Sequence, residues 1–526
     1  MIRVRQVKVP ITDNNEQTII LKIATKLNVS IKKVKNYNIT KKSIDARDKK
    51  NIFYVYEFDV LVENENDILR KNKSKDILKT PEESYKFLIT GTLKMKHKPV
   101  IVGSGPAGLF CAYLLAENGY NPIIIERGEK IEDRVDTVEK FFKDNILNKN
   151  SNVQFGEGGA GTFSDGKLNT LTKDKYNRGK KVFEIFVENG APQEILYENK
   201  PHIGTDLLRG VIINIRNKII EMGGVFKYGT CLTNLIIKDS KITGIELNNK
   251  EILNCDSLVL AIGHSARDTF KMLLSNNIDI TSKPFAVGIR IQHPQKLINE
   301  AQYGKNKNLP NASYKLVYNT KSKRGVYSFC MCPGGYVVNS SSDLGETVIN
   351  GMSNYKRDSI NANSAIVVTV SEKDYGTGPL DGIKFQEKLE SLAYELGNGK
   401  IPTQLYIDYK NNRNTKQFGS VKPVFKGDYN FTNINDIFPN YINQALVEGI
   451  EYFSKKIKNF NLDDAIISAV ESRTSSPVRI NRNEKFMSNI YGIYPCGEGS
   501  GYSGGITTSA IDGVKVAEKI AQIYMN

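Results

Sequence analysis

Hydrophobic and polar positions alternate at the start of the chain and then take helical spacing, which predicts a small α+β unit. IRVRQVKV alternates with a period of two, TIILKIATKLNV has helical spacing, and NIFYVYEFDVLV is rich in β-branched and aromatic residues. The polar stretch KNKSKDILKTPEE that follows predicts a mobile connection. We assign residues 1–95 to this unit, in which the sequence shows no catalytic constellation.

From Pro99 the pattern becomes that of a buried parallel sheet. PVIVGSGPAGLFCAYLLAENGYNPIIIERG predicts a strand, a glycine turn, an apolar helix and a second strand that ends at Glu126. Gly103 permits the tight turn, Gly105 lets the backbone approach a pyrophosphate, and Gly108 permits close helix–strand packing. The helix N-terminus offers unpaired N–H groups to phosphates, and Glu126 is placed to accept hydrogen bonds from a ribose diol. The segment predicts a dinucleotide site formed by Gly103, Ser104, Gly105, Pro106, Ala107, Gly108, Glu126, Arg127 and Arg134.

Two later segments have patterns that complete such a domain. After a helix at about 205–222, the chain predicts a β-meander and the apolar strand of DSLVLAIGHSARDTF, which ends at Gly263. NIYGIYPCGEGSGYSGGITTSAIDGVKVAEKI predicts a short strand, a glycine run and an amphipathic helix. No second GxGxxG follows a strand, so a dedicated NAD(P) domain is absent and any NAD(P)H docks transiently. We assign residues 96–282 and 486–526 to the dinucleotide domain and 283–485 to an insertion.

The C-terminal segment resembles flavoproteins of the glutathione-reductase superfamily. In that superfamily an acidic residue after the strand holds the ribitol, and the next helix N-terminus faces the flavin, where its dipole stabilises the anionic reduced form. The resemblance assigns these roles to Gly497, Glu498, Gly504, Gly505 and Ile506. It also brings the turn at Gly263 to the cofactor, as an Ala-Thr-Gly-like turn does in that superfamily. Here Gly-Glu stands where most members have Gly-Asp.

Several motifs together resemble the bacterial family of uncharacterised FAD-dependent dehydrogenases over nearly the whole chain. They are QFGEGGAGTFSDGKL, AIGHSARDTF, KPFAVGIRIQHPQ, FCMCPGGYVV and SRTSSPVRI. The resemblance implies FAD and a fold like that of p-hydroxybenzoate hydroxylase and geranylgeranyl reductase, with a substrate domain over the flavin. We therefore expect an α/β protein: a Rossmann-type FAD domain with parallel sheet and β-meander, an inserted α+β substrate domain and a small N-terminal α+β domain.

The glycine-rich loop GEGGAGT predicts close backbone approach to a ligand or to another chain segment. We interpret it as a flavin-contacting loop through Gly158, Gly159, Gly161 and Thr162, against the alternative of a flexible surface loop. Lys167 follows it and is a candidate electrophile near the flavin.

Cys330 and Cys332 lie one residue apart before Pro-Gly-Gly. A hairpin of Tyr327–Met331 and Tyr336–Asn339 would put both thiols on one face, with Met331 on the other. By analogy with geranylgeranyl-reductase-like enzymes this hairpin faces the flavin. Three interpretations stay open: small packing residues, cavity thiols with a chemical role, or a regulatory pair. Four histidines and six cysteines offer no second pair at zinc spacing, so we expect no metal site.

Two further candidates rest on scarce residue types. His264, beside a tight turn, is either a structural hydrogen-bonding residue or a group that contacts flavin or substrate. Arg473, Arg479 and Arg482 lie within ten residues of a chain with 17 Arg against 56 Lys, which suits a carboxylate or phosphate ligand. The alternative is an ion-pair network with local acids such as Glu471 and Glu484.

Charge and composition leave three function classes. The net charge is +16, and residues 1–98, with 22 Lys/Arg against 12 Asp/Glu, carry +10 of it. Beside an FAD-dependent oxidoreductase acting on a small molecule, the alternatives are a tRNA-modifying flavoenzyme that grips nucleic acid with the basic module, and a flavin-bound redox sensor. No apolar run of about 18 residues and no secretory pattern occurs, so we expect a cytoplasmic protein with reduced thiols and no membrane span. The sequence does not indicate the substrate or the oligomeric state.

Overall fold

The structure is a computed structural model that describes residues 1–170, 174–306 and 308–526. Its N-terminal elements are β1 (Ile2–Pro10), α1 (Glu16–Leu27), β2 (Val34–Asp45), β3 (Phe53–Val62), α2 (Glu65–Lys71), β4 (Ile77–Lys79) and β5 (Leu93–Lys94). Four of these strands form an antiparallel sheet in the order β2-β3-β1-β4, the β-α-β-β-α-β arrangement of ferredoxin-like units. The predicted mobile connection is wrong in its middle: Ile77 is buried, and β4 pairs with β1 at the sheet edge because Ile77 and Leu78 offer apolar side chains.

The next elements build the nucleotide-binding part. They are β6 (Val100–Val102), α3 (Pro106–Glu117), β7 (Ile123–Ile125), α4 (Ile131–Asp144), α5 (Arg178–Glu188), α6 (Thr205–Glu221), β8 (Val225–Lys227), β9 (Leu232–Lys238), β10 (Lys241–Leu247), β11 (Glu251–Asn254), β12 (Leu258–Leu260), α7 (Arg267–Ser275) and β13 (Ile280–Ser282).

The remaining elements form the inserted part and the C-terminus. They are β14 (Phe285–Pro294), α8 (Gln295–Tyr303), β15 (Val317–Asn319), β16 (Gly325–Cys332), β17 (Tyr336–Asn339), β18 (Ile349–Met352), β19 (Asn361–Val370), α9 (Glu372–Tyr375), α10 (Asp381–Gly397), β20 (Ile401–Leu405), α11 (Tyr406–Lys410), β21 (Phe425–Lys426), β22 (Tyr429–Phe431), α12 (Asn440–Phe453), β23 (Ile466–Glu471), β24 (Val478–Ile480), β25 (Ile493–Pro495), α13 (Ile506–Ala521) and β26 (Tyr524–Met525). Short 3₁₀ turns lie at Ile11–Asp13, Ile31–Lys33, Ala160–Phe163, Gln193–Leu196 and Ile434–Asp436.

A five-stranded parallel sheet in the order β25-β12-β6-β7-β8 carries the nucleotide-binding part. Its central strands are short and wholly apolar because both faces are covered, one by α3, α6 and α13 and the other by the strands β9 and β10 together with α7. β9, β10 and β11 form the expected meander, and the C-terminal strand β25 completes the sheet from the far end of the chain. The predicted α/β fold is confirmed, while the domain boundaries after residues 95, 282 and 485 stay predictions.

The inserted part is built on a seven-stranded sheet in the order β15-β16-β19-β14-β23-β20-β22. A ladder of β13 with β24 lies where the chain enters and leaves it. A second sheet, β18-β17-β21, lies beside the seven-stranded one. In the described residues, we find no helix with the length and apolarity needed to cross a membrane.

The predicted hairpin around Pro333-Gly334-Gly335 is wrong. β16 pairs with β15 and β19, whereas β17 pairs with β18 and β21, so the turn passes the chain from one sheet to another. Gly334 has φ +47, and a Cβ there would lie 1.7 Å from the carbonyl oxygen of Arg357, so the turn closes against Arg357 and not on its own strand. A bulge between Phe329 and Cys332 also breaks the period of two on which the shared thiol face was predicted.

Candidate active site

The turn after β6 forms a cradle in which glycine is required. Gly103 has φ +100, and a Cβ there would lie 2.3 Å from the carbonyl oxygen of Ala261. A Cβ at Gly108 would lie 1.9 Å from the oxygen of Gly103, so α3 packs directly on the turn. The nearest atom to a Cβ at Gly105 would be the Cα of Gly159, at 3.7 Å. The turn and the glycine-rich loop therefore face each other across a narrow gap.

Glu126, at the end of β7, fixes this turn to the loop. One carboxylate oxygen accepts hydrogen bonds from the Ser104 backbone N–H at 3.0 Å and the Ser104 hydroxyl at 2.7 Å. The other accepts from the N–H of Gly128 at 2.9 Å and of Gly156 at 3.1 Å. Ser104 therefore acts through Glu126 and not on a ligand.

Arg134 holds the glycine-rich loop from beneath. Its buried guanidinium donates to the carbonyl oxygens of Asn152, Val153, Glu157 and Gly159 at 2.6 to 3.0 Å. Burial lowers its pKa to about 10. The prediction that Arg134 contacts the cofactor is corrected, because all four contacts are to backbone carbonyls under the loop.

A cavity of about 410 Å³ runs from this turn to the inserted sheet. Of the predicted site residues it is lined by Gly103, Gly105, Pro106, Ala107, Glu126, Arg127, Gly159, Gly161, Lys167, Gly263, His264, Cys330, Arg473, Glu498, Gly504, Gly505 and Ile506. The predicted site residues that do not line it are Ser104, Gly108, Arg134, Gly158, Thr162, Cys332, Arg479, Arg482 and Gly497. Gly158 and Thr162 form hydrogen bonds within the glycine-rich loop and to residues around it. Gly497 donates its N–H to Asp512 at 2.8 Å.

The N-terminus of α13 borders the same cavity. Gly505 precedes the helix, and no side chain caps this terminus among the described residues. A Cβ at Gly504 would meet nothing within 4 Å, which marks open space in front of the helix. Thr507 in the first turn donates its hydroxyl to the carbonyl oxygen of Leu168 at 2.6 Å, so Lys167 lies beside this terminus. The terminus is thus free to face an anionic group.

Lys167 belongs to a buried charged cluster. Its ammonium lies 2.9 Å from Asp165 and 3.8 Å from the Cys332 sulfur. Asp165 also accepts from Arg357, at 2.9 Å from its Nε, and from the Ser353 hydroxyl. Burial works to lower the pKa of Lys167, but the Asp165 charge outweighs it and the pKa is raised. Burial likewise opposes ionisation of Asp165, but Lys167 and Arg357 hold its pKa below the ordinary value.

Cys330 reaches the cavity from the bulge in β16, where its φ of +43 departs from the strand conformation. Arg290, fully buried on β14, donates to the Cys330 carbonyl at 3.2 Å and pairs with both oxygens of Glu471 at 2.9 and 3.0 Å. Arg357 was missed from the sequence. Asp165 and Arg357 are 192 residues apart, and no local motif connects them.

His264 and Glu498 form a pair on the cavity wall. The Nδ1 of His264 lies 3.2 Å from a Glu498 oxygen, while its buried Nε2 has no hydrogen-bond partner among the described residues. Glu498 thus stands at the position where most members of the resembled superfamily have aspartate, and its longer side chain contacts His264. A ligand in this cavity would find an unsatisfied nitrogen.

The three arginines of SRTSSPVRINR do not form one anion site, and that prediction is corrected. Arg473 pairs with Glu390 at 2.7 Å and also with Asp343 and Glu346. Arg482 pairs with Asp512 at 2.7 Å and stacks on Tyr502, and Arg479 donates to the Gly501 carbonyl. Arg473 and Arg482 form ion pairs, as in the alternative interpretation. Their partners are not the expected Glu471 and Glu484, because the fold brings carboxylates from other parts of the chain to them.

Comparisons with known proteins agree with a dinucleotide-binding site in this cavity. Residues 284–474 match the family described as FAD-dependent protein, C-terminal domain-like, and residues 101–149 match an NAD(P)-binding Rossmann-like domain. Residues 1–61 match a domain of unknown function. With the cradle and the uncapped helix terminus, these matches define an FAD-dependent oxidoreductase. The chain belongs to the same family as an uncharacterised protein of Clostridium beijerinckii (strain ATCC 51743 / NCIMB 8052), to which it is 47% identical over 531 residues, 99% of each chain.

Solved structures of other proteins resemble this chain at low sequence identity. Glycine oxidase from Bacillus cereus ATCC 14579 is 11% identical, with 80% of this chain and 94% of that chain covered and a TM-score of 0.34. L-proline dehydrogenase from P. horikoshii is 14% identical, with 81% and 94% covered and a TM-score of 0.34. Likeness at this level carries no information on the substrate.

Proposed function

We propose that the protein exchanges a hydride between FAD bound in this cavity and a small organic substrate held under the inserted sheet. One observation carries the proposal: a single cavity joins the Gly103–Gly105 turn, the uncapped N-terminus of α13 and the Lys167–Cys330 wall. The glutathione-reductase-like arrangement of ribitol and flavin expected from the C-terminal motif belongs to this proposal.

Each end of the cavity suits a different part of the cofactor. The Gly103–Gly105 turn and Gly159 suit the pyrophosphate, because backbone N–H groups lie there without side chains in the way. At the Glu126 end, Arg127 stacks on Phe155 with its guanidinium 4.6 Å from the ring centroid and forms a flat surface that suits the adenosine. The space before Gly504 suits the flavin.

FAD supplies the hydride acceptor or donor, and the residues around it control charge and protons. The N-terminus of α13 and Lys167 line the same cavity, so both can stabilise negative charge that develops on the ring or on a substrate carbonyl. Asp165 keeps Lys167 protonated and in place. His264, oriented by Glu498 through Nδ1, presents its free Nε2 for a ribitol hydroxyl or a substrate proton.

Three cations on the sheet of the basic N-terminal unit are paired with carboxylates, which counts against the tRNA alternative for this face. On its sheet, Arg3 pairs with Asp59 and Glu83, Arg5 with Glu57, and Lys8 with Asp45. These cations are neutralised within the unit and its linker, whereas phosphate binding needs them free. The redox-sensor alternative predicts a flavin that is reduced and reoxidised without converting a substrate. The experiment that follows distinguishes this alternative from an enzyme.

The test is anaerobic reduction of the purified yellow protein by NADH or NADPH, followed by reoxidation with candidate unsaturated substrates. We expect Lys167→Met to bind FAD and to slow flavin reduction about 100-fold, the cost of losing one electrostatic donor. Lys315→Met, which removes an exposed lysine outside the cavity lining, is the matched control. A protein that binds no flavin would overturn the proposal, and an unchanged rate in Lys167→Met would remove Lys167 from it.

A further inference from the structure

Two thiols meet at the wall of the proposed reaction cavity. Cys330 lines the cavity, and Cys332 lies directly behind it, fully buried, with its sulfur 3.3 Å from the Cys330 carbonyl oxygen. The bulge in β16 brings the two residues together, since a regular strand would continue past Cys330 without the positive φ. Neither thiol is bonded to another cysteine.

The charges around the pair leave one positive charge in excess. Lys167, Arg290 and Arg357 carry three positive charges, and Asp165 and Glu471 carry two negative ones. His202, near Asp165, adds none at neutral pH because burial lowers its pKa to about 4. Buried charge needs compensation, and one thiolate supplies it.

We propose that Cys330 and Cys332 form a dithiol–disulfide centre that exchanges an electron pair with the FAD bound in the adjacent cavity. The inference rests on the proposed function, because it takes the flavin to lie at the Lys167 end. Cys330 is the sulfur that faces the flavin, and Cys332 is the resolving thiol.

The step balances with the flavin as the only oxidant. The Cys330 thiolate and the Cys332 thiol together lose two electrons, and the Cys332 S–H bond breaks as one S–S bond forms. Oxidised flavin takes up the two electrons and that one proton and becomes the anionic reduced form. In the reverse direction reduced flavin returns two electrons and one proton and restores the thiolate and the thiol.

The electrostatics favour this division of roles. A hydrogen bond from Cys332, with the charges of Lys167 and Arg290, lowers the pKa of Cys330 against the effect of burial. The same contact, together with burial, raises the pKa of Cys332. Cys330 is therefore the thiolate and Cys332 keeps its proton, which is the pairing that thiol–disulfide exchange uses.

The first experiment counts electrons in an anaerobic dithionite titration of the holoprotein oxidised beforehand with ferricyanide. We expect four electrons per FAD in the native protein, two for the flavin and two for the disulfide. Cys330→Ser and Cys332→Ser should each take up two. Cys255→Ala, which removes a buried thiol away from the cavity lining, should keep four.

A second measurement needs no variant. The oxidised and the dithionite-reduced holoprotein are denatured in alkylating reagent and weighed as intact protein and peptides. We expect two fewer alkylated cysteines in the oxidised form, both on the peptide that holds Cys330 and Cys332. Two electrons per FAD with equal alkylation in both forms would overturn the dithiol centre and leave the proposed flavin function standing, whereas absence of bound flavin would overturn the latter.

Discussion

At the residue scale, Glu126 shows how one carboxylate organises the cofactor site. Its four hydrogen bonds come from three backbone N–H groups and one hydroxyl, and they bind the first turn to the glycine-rich loop. In Glu126→Gln an amide NH₂ faces donors and the negative charge is lost. We expect FAD affinity to fall about 10- to 100-fold, because a hydrogen bond to a charged group contributes about 1.5–3 kcal/mol.

The measurement is recovery of flavin fluorescence as FAD dissociates on dilution. Glu117→Gln is the control, since Glu117 lies at the far end of α3 and pairs only with Lys181 among the ion pairs of the described residues. Equal affinity in Glu126→Gln and the native protein would contradict the assigned role.

At the element scale, two helix glycines with opposite surroundings test the packing of the nucleotide-binding part. A Cβ at Gly108 in α3 would lie 1.9 Å from the Gly103 oxygen, whereas a Cβ at Gly210 in α6 would meet nothing within 4 Å. We expect Gly108→Ala to separate α3 from the turn and to abolish FAD binding. Gly210→Ala should raise the free energy of unfolding by about 0.5–1 kcal/mol, because alanine loses less backbone entropy in a helix.

Urea unfolding and flavin content measure both variants. Gly210→Ala also controls for the substitution itself, since it adds the same methyl group to a helix of the same domain. A Gly108→Ala protein that keeps full flavin content would show that the close contact is not needed.

The same elements show how far sequence patterns predict this fold. The strands of the parallel sheet, its glycine turn, α6 and the meander follow from local periodicity and glycine positions, which act within a few residues. The path after Cys332 does not, because β16 pairs with β19 and β17 pairs with β21, in two different sheets and with partners 31 to 88 residues further along the chain. In the candidate site, Lys167 and Cys330 were found because their motifs are local. Asp165 lies only two residues from Lys167, but Arg357 and Arg290 reach the site only through the tertiary fold.

At the scale of the whole molecule, a buried ion cluster joins the nucleotide-binding part to the inserted part. Arg267 at the start of α7 pairs with Glu390 of α10 at 2.8 Å and with Glu346 at 2.6 Å. Arg473 joins the same carboxylates and also contacts Asp343. Three carboxylates thus face two guanidinium groups, and one proton restores neutrality. Burial and the Glu390 charge raise the pKa of Glu346 to about 8, which places the proton there.

The two glutamates should therefore respond differently to substitution. At pH 7, Glu390→Gln leaves two buried guanidinium groups without enough negative charge to balance them. We therefore expect a loss of about 3–5 kcal/mol in the free energy of unfolding. Glu346→Gln replaces a carboxyl that already holds a proton, so we expect a loss of about 1 kcal/mol or less. The folded state raises the pKa of Glu346, so its stabilising contribution is complete below the unfolded-state pKa and is lost as the pH rises through about 8. Urea unfolding from pH 6 to pH 9 should then show Glu346→Gln gaining stability relative to the native protein, while an equal cost for both variants at every pH would show that both glutamates are ionised.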